Sequence, residues 1–167
     1  VLSARRLSLS LGGQVILRPM DLALHGGELV ALLGPSGSGK SSLLKALSGI
    51  FRPEGRVAYG GAELSQDGLR EKLGNVPQDD VLHRSLRVES ALRYSAQLRL
   101  PGLTPEQLDG AVTAVLGQVD LLERRRHRVR QLSGGQRKRV AVAMELLLKP
   151  ELFFLDEPTS GLDPALE

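Results

Sequence analysis

Two short apolar runs stand out from the alternation of the rest of the chain. Leu29 to Leu33 is continuous and is bounded by Gly26-Gly27 and Gly34. Leu152 to Leu155 is also continuous and ends at Asp156-Glu157. Runs this short between turn signals suit strands buried on both faces, as in a parallel sheet. Val1 to Leu11 and Val15 to Leu17 read as strands, with Gly12-Gly13 turning between them. Arg56 to Tyr59 and Lys72 to Val76 are weaker strand signals.

Helical spacing takes over in four places. A helix is predicted from about Gly39 to Ser48, with Gly49 as its stop. Val88, Ala91, Leu92 and Ala96 recur at helical spacing, as do Leu108, Ala111, Val112, Val115 and Val119. Thr104 can cap the latter helix, with Pro105 in its first turn and Gln107 completing a capping box. Val140, Ala143, Met144 and Leu147 mark another helix, and Ser133 with Gln136 forms an S-x-x-Q box at its start. A strand, loop and helix at one end and an acid-tipped strand at the other imply an α/β sheet with an inserted helical segment.

Composition narrows this only slightly. The 167 residues are 41% hydrophobic and 25% charged, which fits an ordinary globular domain with a real core. There is no cysteine, so disulfides and thiolate metal sites are excluded. The formal net charge of +3 is too small to argue for nucleic acid. Arg124, Arg125, Arg126, Arg128 and Arg130 cluster together, and a solvated loop is favoured over a docking surface. No apolar run approaches the roughly 18–20 residues of a membrane span, and Glu145 interrupts the longest, Val140 to Leu148. The chain starts with Val and has no signal peptide, so it is expected to be a piece of a longer protein.

Gly34-Pro35-Ser36-Gly37-Ser38-Gly39-Lys40-Ser41, followed by Ser42, matches G-x-x-x-x-G-K-[ST], the Walker A pattern. Glycines let backbone N–H groups converge on phosphate oxygens, and the helix that follows points its positive end at the same anion. In that setting Lys40 reaches the β and γ phosphates and the Ser41 hydroxyl ligates Mg²⁺. The alternative is a Gly/Ser-rich turn, which the flanking run and helix disfavour. Leu152 to Glu157 fits Walker B: Asp156 at the strand end would hold Mg²⁺, and Glu157 would act as general base on the attacking water.

With these in place, Leu132-Ser133-Gly134-Gly135-Gln136 resembles the signature motif of ATP-binding cassette (ABC) ATPases. Gln78 resembles the Q-loop glutamine, and Ser160-Gly161-Leu162-Asp163 the D-loop. The motifs occur in family order across nearly the whole chain. Val76-Pro77-Gln78-Asp79-Asp80, Leu86 to Ser90, Ser95 to Pro101 and Arg137 to Val140 are similar to the G-type ABC transporters, while Gln136 and Asp163 to Leu166 are closer to bacterial relatives.

The resemblance implies one P-loop NTPase domain over residues 1–167, incomplete at its C-terminus. It would have an ABC-type core sheet (1–77 and 133–167), an N-terminal antiparallel β-subdomain and an inserted helical subdomain (78–132). It implies an ATP-hydrolysing, Mg²⁺-dependent motor of a membrane exporter on the cytoplasmic face of the plasma (inner) membrane. The fragment itself would be soluble. The partners would be a second ABC ATPase domain, as homo- or heterodimer, and a transmembrane domain in the same full-length chain, with no nucleic acid.

In the implied head-to-tail dimer, Ser133, Gly134, Gly135 and Gln136 meet the partner's ATP. Gln78 senses γ phosphate and Mg²⁺, and Asp163 touches the partner. A soluble ABC ATPase acting on nucleic acid or the ribosome is the alternative. The region between Gln78 and Leu132 is too short for the coiled coils of the DNA-repair members and has no sustained heptads.

Two departures stand out. Leu11 occupies the place where the family often stacks an aromatic residue on adenine. The switch histidine is not within the chain, since His25, His83 and His127 are misplaced for it. Residues 1–167 alone are therefore expected to hydrolyse ATP poorly or not at all.

Overall fold

The structure is a computed structural model and describes residues 1–63, 72–78 and 81–158. It divides into two compact units, Val1–Leu73 and Gly74–Glu167.

The first unit is built on a four-stranded sheet. Its strands are β1 (Leu2–Leu11), β2 (Gln14–Leu24), β3 (Glu54–Tyr59) and β4 (Ala62–Glu63), in the order β2-β1-β3-β4. The β1–β2, β1–β3 and β3–β4 pairs are all antiparallel. Gly12 and Gly13 form the hairpin turn with positive φ at both positions, where glycine carries no steric penalty. Leu2, Ala4, Leu7 and Leu9 are buried, so the alternation skips one residue between Ala4 and Leu7. The register shifts at that point, and Arg6 adopts φ 49 with its N–H donated to Asp21 Oδ1 at 2.6 Å. This is a bulge: one extra residue restores the inward face for Leu7 and Leu9. Gly55 lies against it, and a Cβ there would collide with the Arg5 and Arg6 carbonyls.

Helix α1 (Lys40–Leu47) also belongs to the first unit and buries Leu43, Ala46 and Leu47. Gly49, with φ 75, follows its end, as the sequence predicts. The predicted strand Leu29 to Leu33 does not form. Residues 28–35 have no regular structure, and Leu29 and Leu33 are 97% and 91% exposed. An apolar run expresses a demand for burial, but a strand also needs a neighbouring edge for its backbone hydrogen bonds. No described strand pairs with this run.

The second unit begins within β5 (Leu73–Val76) and contains α2 (Val88–Arg99), α3 (Pro105–Gln118), α4 (Gly134–Leu146) and β6 (Leu152–Leu155). Strands β5 and β6 pair. Only Phe154 of β6 is buried and Leu155 is 37% exposed, so the strand is not covered on both faces as expected. Among the described residues its one strand neighbour is β5.

The core of this unit is helical. Val88, Leu92 and Ala96 of α2, Leu108, Val112, Val115 and Leu116 of α3, and Val140 and Ala143 of α4 pack together with Leu82, Leu121, Val129 and Leu132. Each fully buried leucine or valine contributes roughly 1.5–3 kcal/mol relative to exposure.

The arginine-rich segment is less free than a solvated loop. Val88 and Glu89 donate backbone N–H groups to the His127 and Arg125 carbonyls, both at 3.0 Å, and Val129 N–H donates to Leu86 at 2.9 Å. The Arg125 guanidinium donates to Glu89 at 2.9 Å, to Thr113 at 3.0 Å and to Asp109. These bonds, that to Glu89 foremost, hold Arg125 charged above its ordinary range against the opposing effect of burial. Arg124, Arg126, Arg128 and Arg130 remain exposed.

Candidate functional site

The phosphate-loop residues lie in the first unit. Gly37 and Gly39 hold φ 80 and φ 92, conformations an L side chain resists. At Gly34 a Cβ would stand 2.9 Å from Ser38 Oγ, too close without movement. Gly39 is the N-cap of α1, no side chain caps that helix, and no acid lies in its first turn. Residues 34–38 are exposed, while Gly39, Lys40, Ser41 and Ser42 are half-buried. Lys40 Nζ curls back over the loop and donates to the Gly34 and Pro35 carbonyls, both at 2.8 Å. The ammonium is thereby held at the mouth of the loop, beside a helix start with a partial positive charge. Chemically this is an anion-binding arrangement.

A second set of residues converges in the other unit. Gln78 follows β5 and Asp156-Glu157 follow β6, so strand pairing brings them together. Asp156 N–H donates to the Val76 carbonyl at 3.0 Å. Gln78 Nε2 donates to Glu157 Oε2 at 2.8 Å, across 79 residues of sequence. Asp156 is buried, at 8% exposure. Glu157 adopts φ 47, a left-handed conformation that costs a non-glycine residue of order 1–3 kcal/mol and persists only where its surroundings enforce it.

The signature residues open α4, as the sequence predicts. Ser133 Oγ accepts from Gln136 N–H at 3.2 Å, and Gln136 Oε1 accepts from Ser133 N–H at 3.0 Å. Ser133 and Gly134 are exposed, Gly135 is buried, and no acid lies in the first turn. A phosphate can approach such an end without meeting a carboxylate of the same turn. Asp163 and the rest of the expected D-loop lie outside the described residues. Leu11, at the expected adenine-stacking place, is 42% exposed.

One residue of this region was not singled out in the sequence. Lys138 is only 6% exposed, and its Nζ donates to the carbonyls of Pro77 at 2.7 Å, Gln78 at 2.9 Å and Asp156 at 3.2 Å. It sits within the basic block Arg137-Lys138-Arg139, which hid it. The available signal was its spacing: three residues after buried Gly135 on a helix places it on the inward side.

In the second unit the Gln78 amide and the Asp156 carboxylate, at the ends of paired strands, offer oxygen donors of the kind Mg²⁺ takes together with phosphate and water. In the first unit the half-buried Ser41 hydroxyl is an oxygen donor of the same kind. With its Nε2 committed to Glu157, Gln78 has its amide oxygen left to face a cation. Among the described residues no cluster of three or more His, Cys, Asp or Glu could hold a metal alone.

A glycine loop leading into an uncapped helix, together with an acid-tipped strand, defines a P-loop nucleotide-binding domain. A family profile described as "ABC transporter" matches residues 17–160. The chain belongs to the ABC transporter family, as an ATP-binding domain, and that family hydrolyses ATP.

Among curated relatives, the ABC transporter ATP-binding/permease protein Rv1747 of Mycobacterium tuberculosis is 45% identical over 93% of this chain and 18% of its own length. ABC transporter G family member 26 of Arabidopsis thaliana is 40% identical over 91% of this chain and 23% of its own length. The chain thus spans about a fifth of these relatives. Among solved structures, cbiO1 of Clostridium perfringens, part of the ABC transporter complex cbiONQ, superposes with a TM-score of 0.88 at 32% identity. That match covers 99% of this chain and 68% of the other. No described helix is long and apolar enough to cross a membrane.

Proposed function

We propose that this chain is the ATP-hydrolysing motor of an ABC exporter, working at the cytoplasmic face of a membrane. Two such domains pair head to tail, and a transmembrane domain in the same full-length protein is driven by their closure. Residues 1–167 act as one ATP-binding domain in which 78–132 form the helical subdomain. The relatives named for G-type transporters and for a fused ATP-binding/permease protein support this reading.

The chemistry is assigned as follows. The amides of residues 34–42 and the Lys40 ammonium bind the phosphates of ATP. Ser41, Gln78 and Asp156 would hold Mg²⁺, which when bound draws off charge developing on the phosphate oxygens. Glu157 accepts a proton from the water that attacks the γ phosphorus in line, as the bond to the β–γ bridging oxygen breaks and ADP leaves. Gln78, hydrogen-bonded to Glu157, fixes the carboxylate's direction. Ser133 and the Gly134 and Gly135 amides face the γ phosphate of the ATP bound by the partner domain, with Gln136 holding the helix start in shape and Asp163 contacting the partner.

The observation that carries the proposal is the 2.8 Å bond between Gln78 and Glu157, beside Asp156. A general base contributes about 10²–10⁴ in rate. Glu157→Gln in the full-length protein is therefore expected to lower kcat by that order while ATP binding persists and the closed dimer accumulates. Steady-state phosphate release and size-exclusion chromatography with ATP read the two effects, and a wild-type rate would refute the assignment of the base.

A further inference from the structure

Lys138 has no part in the chemistry assigned so far, yet its ammonium is among the most buried charges described. A buried charge is costly unless fully hydrogen-bonded, and the three acceptors of this one are all backbone carbonyls. Pro77 and Gln78 lie just past the end of β5, and Asp156 just past the end of β6. The Asp156 carbonyl belongs to the peptide that leads into Glu157, the residue held at φ 47. The Gln78 carbonyl belongs to the residue whose side chain holds Glu157. One ammonium thus pins the backbone beneath both members of the Gln78–Glu157 pair.

Its other end is equally placed. Lys138 stands in α4, five residues after Ser133. Glu145, two turns further along the same helix, accepts from Asn75 N–H in β5 at 3.2 Å and from Arg99 Nη1 at 2.6 Å. Helix α4 is therefore fastened to β5 at two heights, and Lys138 is the fastening nearest the Ser133 end.

We propose that Lys138 is a positioning residue for ATP hydrolysis. It fixes Glu157 and Gln78 relative to the helix that presents Ser133, and so ties the base for one nucleotide to the surface offered to the next. This rests on the assignment of Glu157 as base. Closure on the partner's ATP that displaces α4 would be transmitted through Lys138 to the Gln78 and Asp156 carbonyls.

The test uses the full-length protein. Lys138→Met keeps an unbranched apolar stem, one heavy atom shorter, and removes every donor. Loss of an orienting partner of this kind is expected to lower kcat about 10–100-fold, with KM for ATP changed less than about threefold because the phosphate loop is untouched. In a Glu157→Gln background, the same substitution is expected to leave the single-turnover rate within about twofold, since it acts through the base. A role confined to stability would lower both backgrounds equally. Wild-type kcat for Lys138→Met, or an equal loss in both backgrounds, overturns the proposal.

If Lys138→Met does not fold, Lys138→Gln decides. Its shorter amide reaches at most two carbonyls, and kcat is expected to fall at least about threefold under the same two criteria. Wild-type kcat for it would be equally contrary. A wild-type rate for Glu157→Gln alone would remove the base assignment and this proposal together. An impaired Glu157→Gln with an unimpaired Lys138→Met removes only the latter.

Discussion

The four α-helices among the described residues begin in two different ways. Helices α2 and α3 each carry an acid in the first turn, Glu89 and Glu106. Helices α1 and α4 carry none. Glutamate in the first turn answers the partial positive charge of the helix start from within the chain. Helix α3 adds a full capping box, with Thr104 Oγ1 accepting from Gln107 N–H at 3.3 Å and Gln107 Oε1 accepting from Thr104 N–H at 2.9 Å. Helix α4 has the same box without the acid, and α1 has neither box nor acid. The difference separates helix starts that are complete in themselves from starts that can take an anion from outside. Both helices of the second kind carry the glycine-rich motifs.

Removing the cation at α1 tests this contrast most severely. Lys40→Ala deletes a charged hydrogen-bond donor worth about 1.5–3 kcal/mol, so ATP affinity is expected to fall by one to two orders of magnitude. Isothermal titration on the full-length protein measures it, and unchanged affinity would place the anion elsewhere.

A smaller effect compares two matched caps. Ser133→Ala and Thr104→Ala each remove an N-cap acceptor and are each expected to cost about 1 kcal/mol of stability, read from denaturant midpoints. Only Ser133→Ala should also weaken ATP-driven pairing of two domains. Equal effects on pairing would erase the distinction between the two starts.

The smallest effect concerns Glu106. Hydrogen bonds from its own backbone N–H and from Thr104 hold its pKa below the ordinary value. A carboxylate with a lowered folded-state pKa gives stability that is present above its unfolded pKa and is lost as pH falls through the folded one. Glu106→Gln should therefore flatten the acid limb of the stability curve slightly and leave neutral-pH turnover unchanged.

The sequence makes some of this legible and hides the rest for definite reasons. Thr104, Pro105 and Gln107 predict the start of α3, and Ser133 with Gln136 predicts that of α4, because caps are made by side chains close in sequence. The glycine-rich turn into α1 is legible from local sequence too. The turn at Gly12-Gly13 is read correctly, but β2 extends to Leu24, past the predicted Leu17, because pairing with β1 continues past the interruption at Arg18-Pro19. Leu29 to Leu33 shows the limit of hydrophobicity as a guide: the pattern is that of a strand, but no described edge receives it. Arg125 and Lys138 show the limit for charge. In sequence both belong to basic runs. In the structure one guanidinium joins Glu89, Asp109 and Thr113, and one ammonium joins three carbonyls. Long-range partners decide such cases, and composition carries no trace of them.

The tie made by Lys138 also bears on how this domain can change over evolutionary time. Its acceptors are main-chain oxygens, which every amino acid possesses. Pro77 could drift to another residue and still present the same carbonyl to the ammonium. A mechanical link of this kind constrains position 138 alone and imposes no matching change at positions 77, 78 or 156. Searches for co-varying pairs would pass over it, although it joins the ends of two strands to the helix that opens at Ser133.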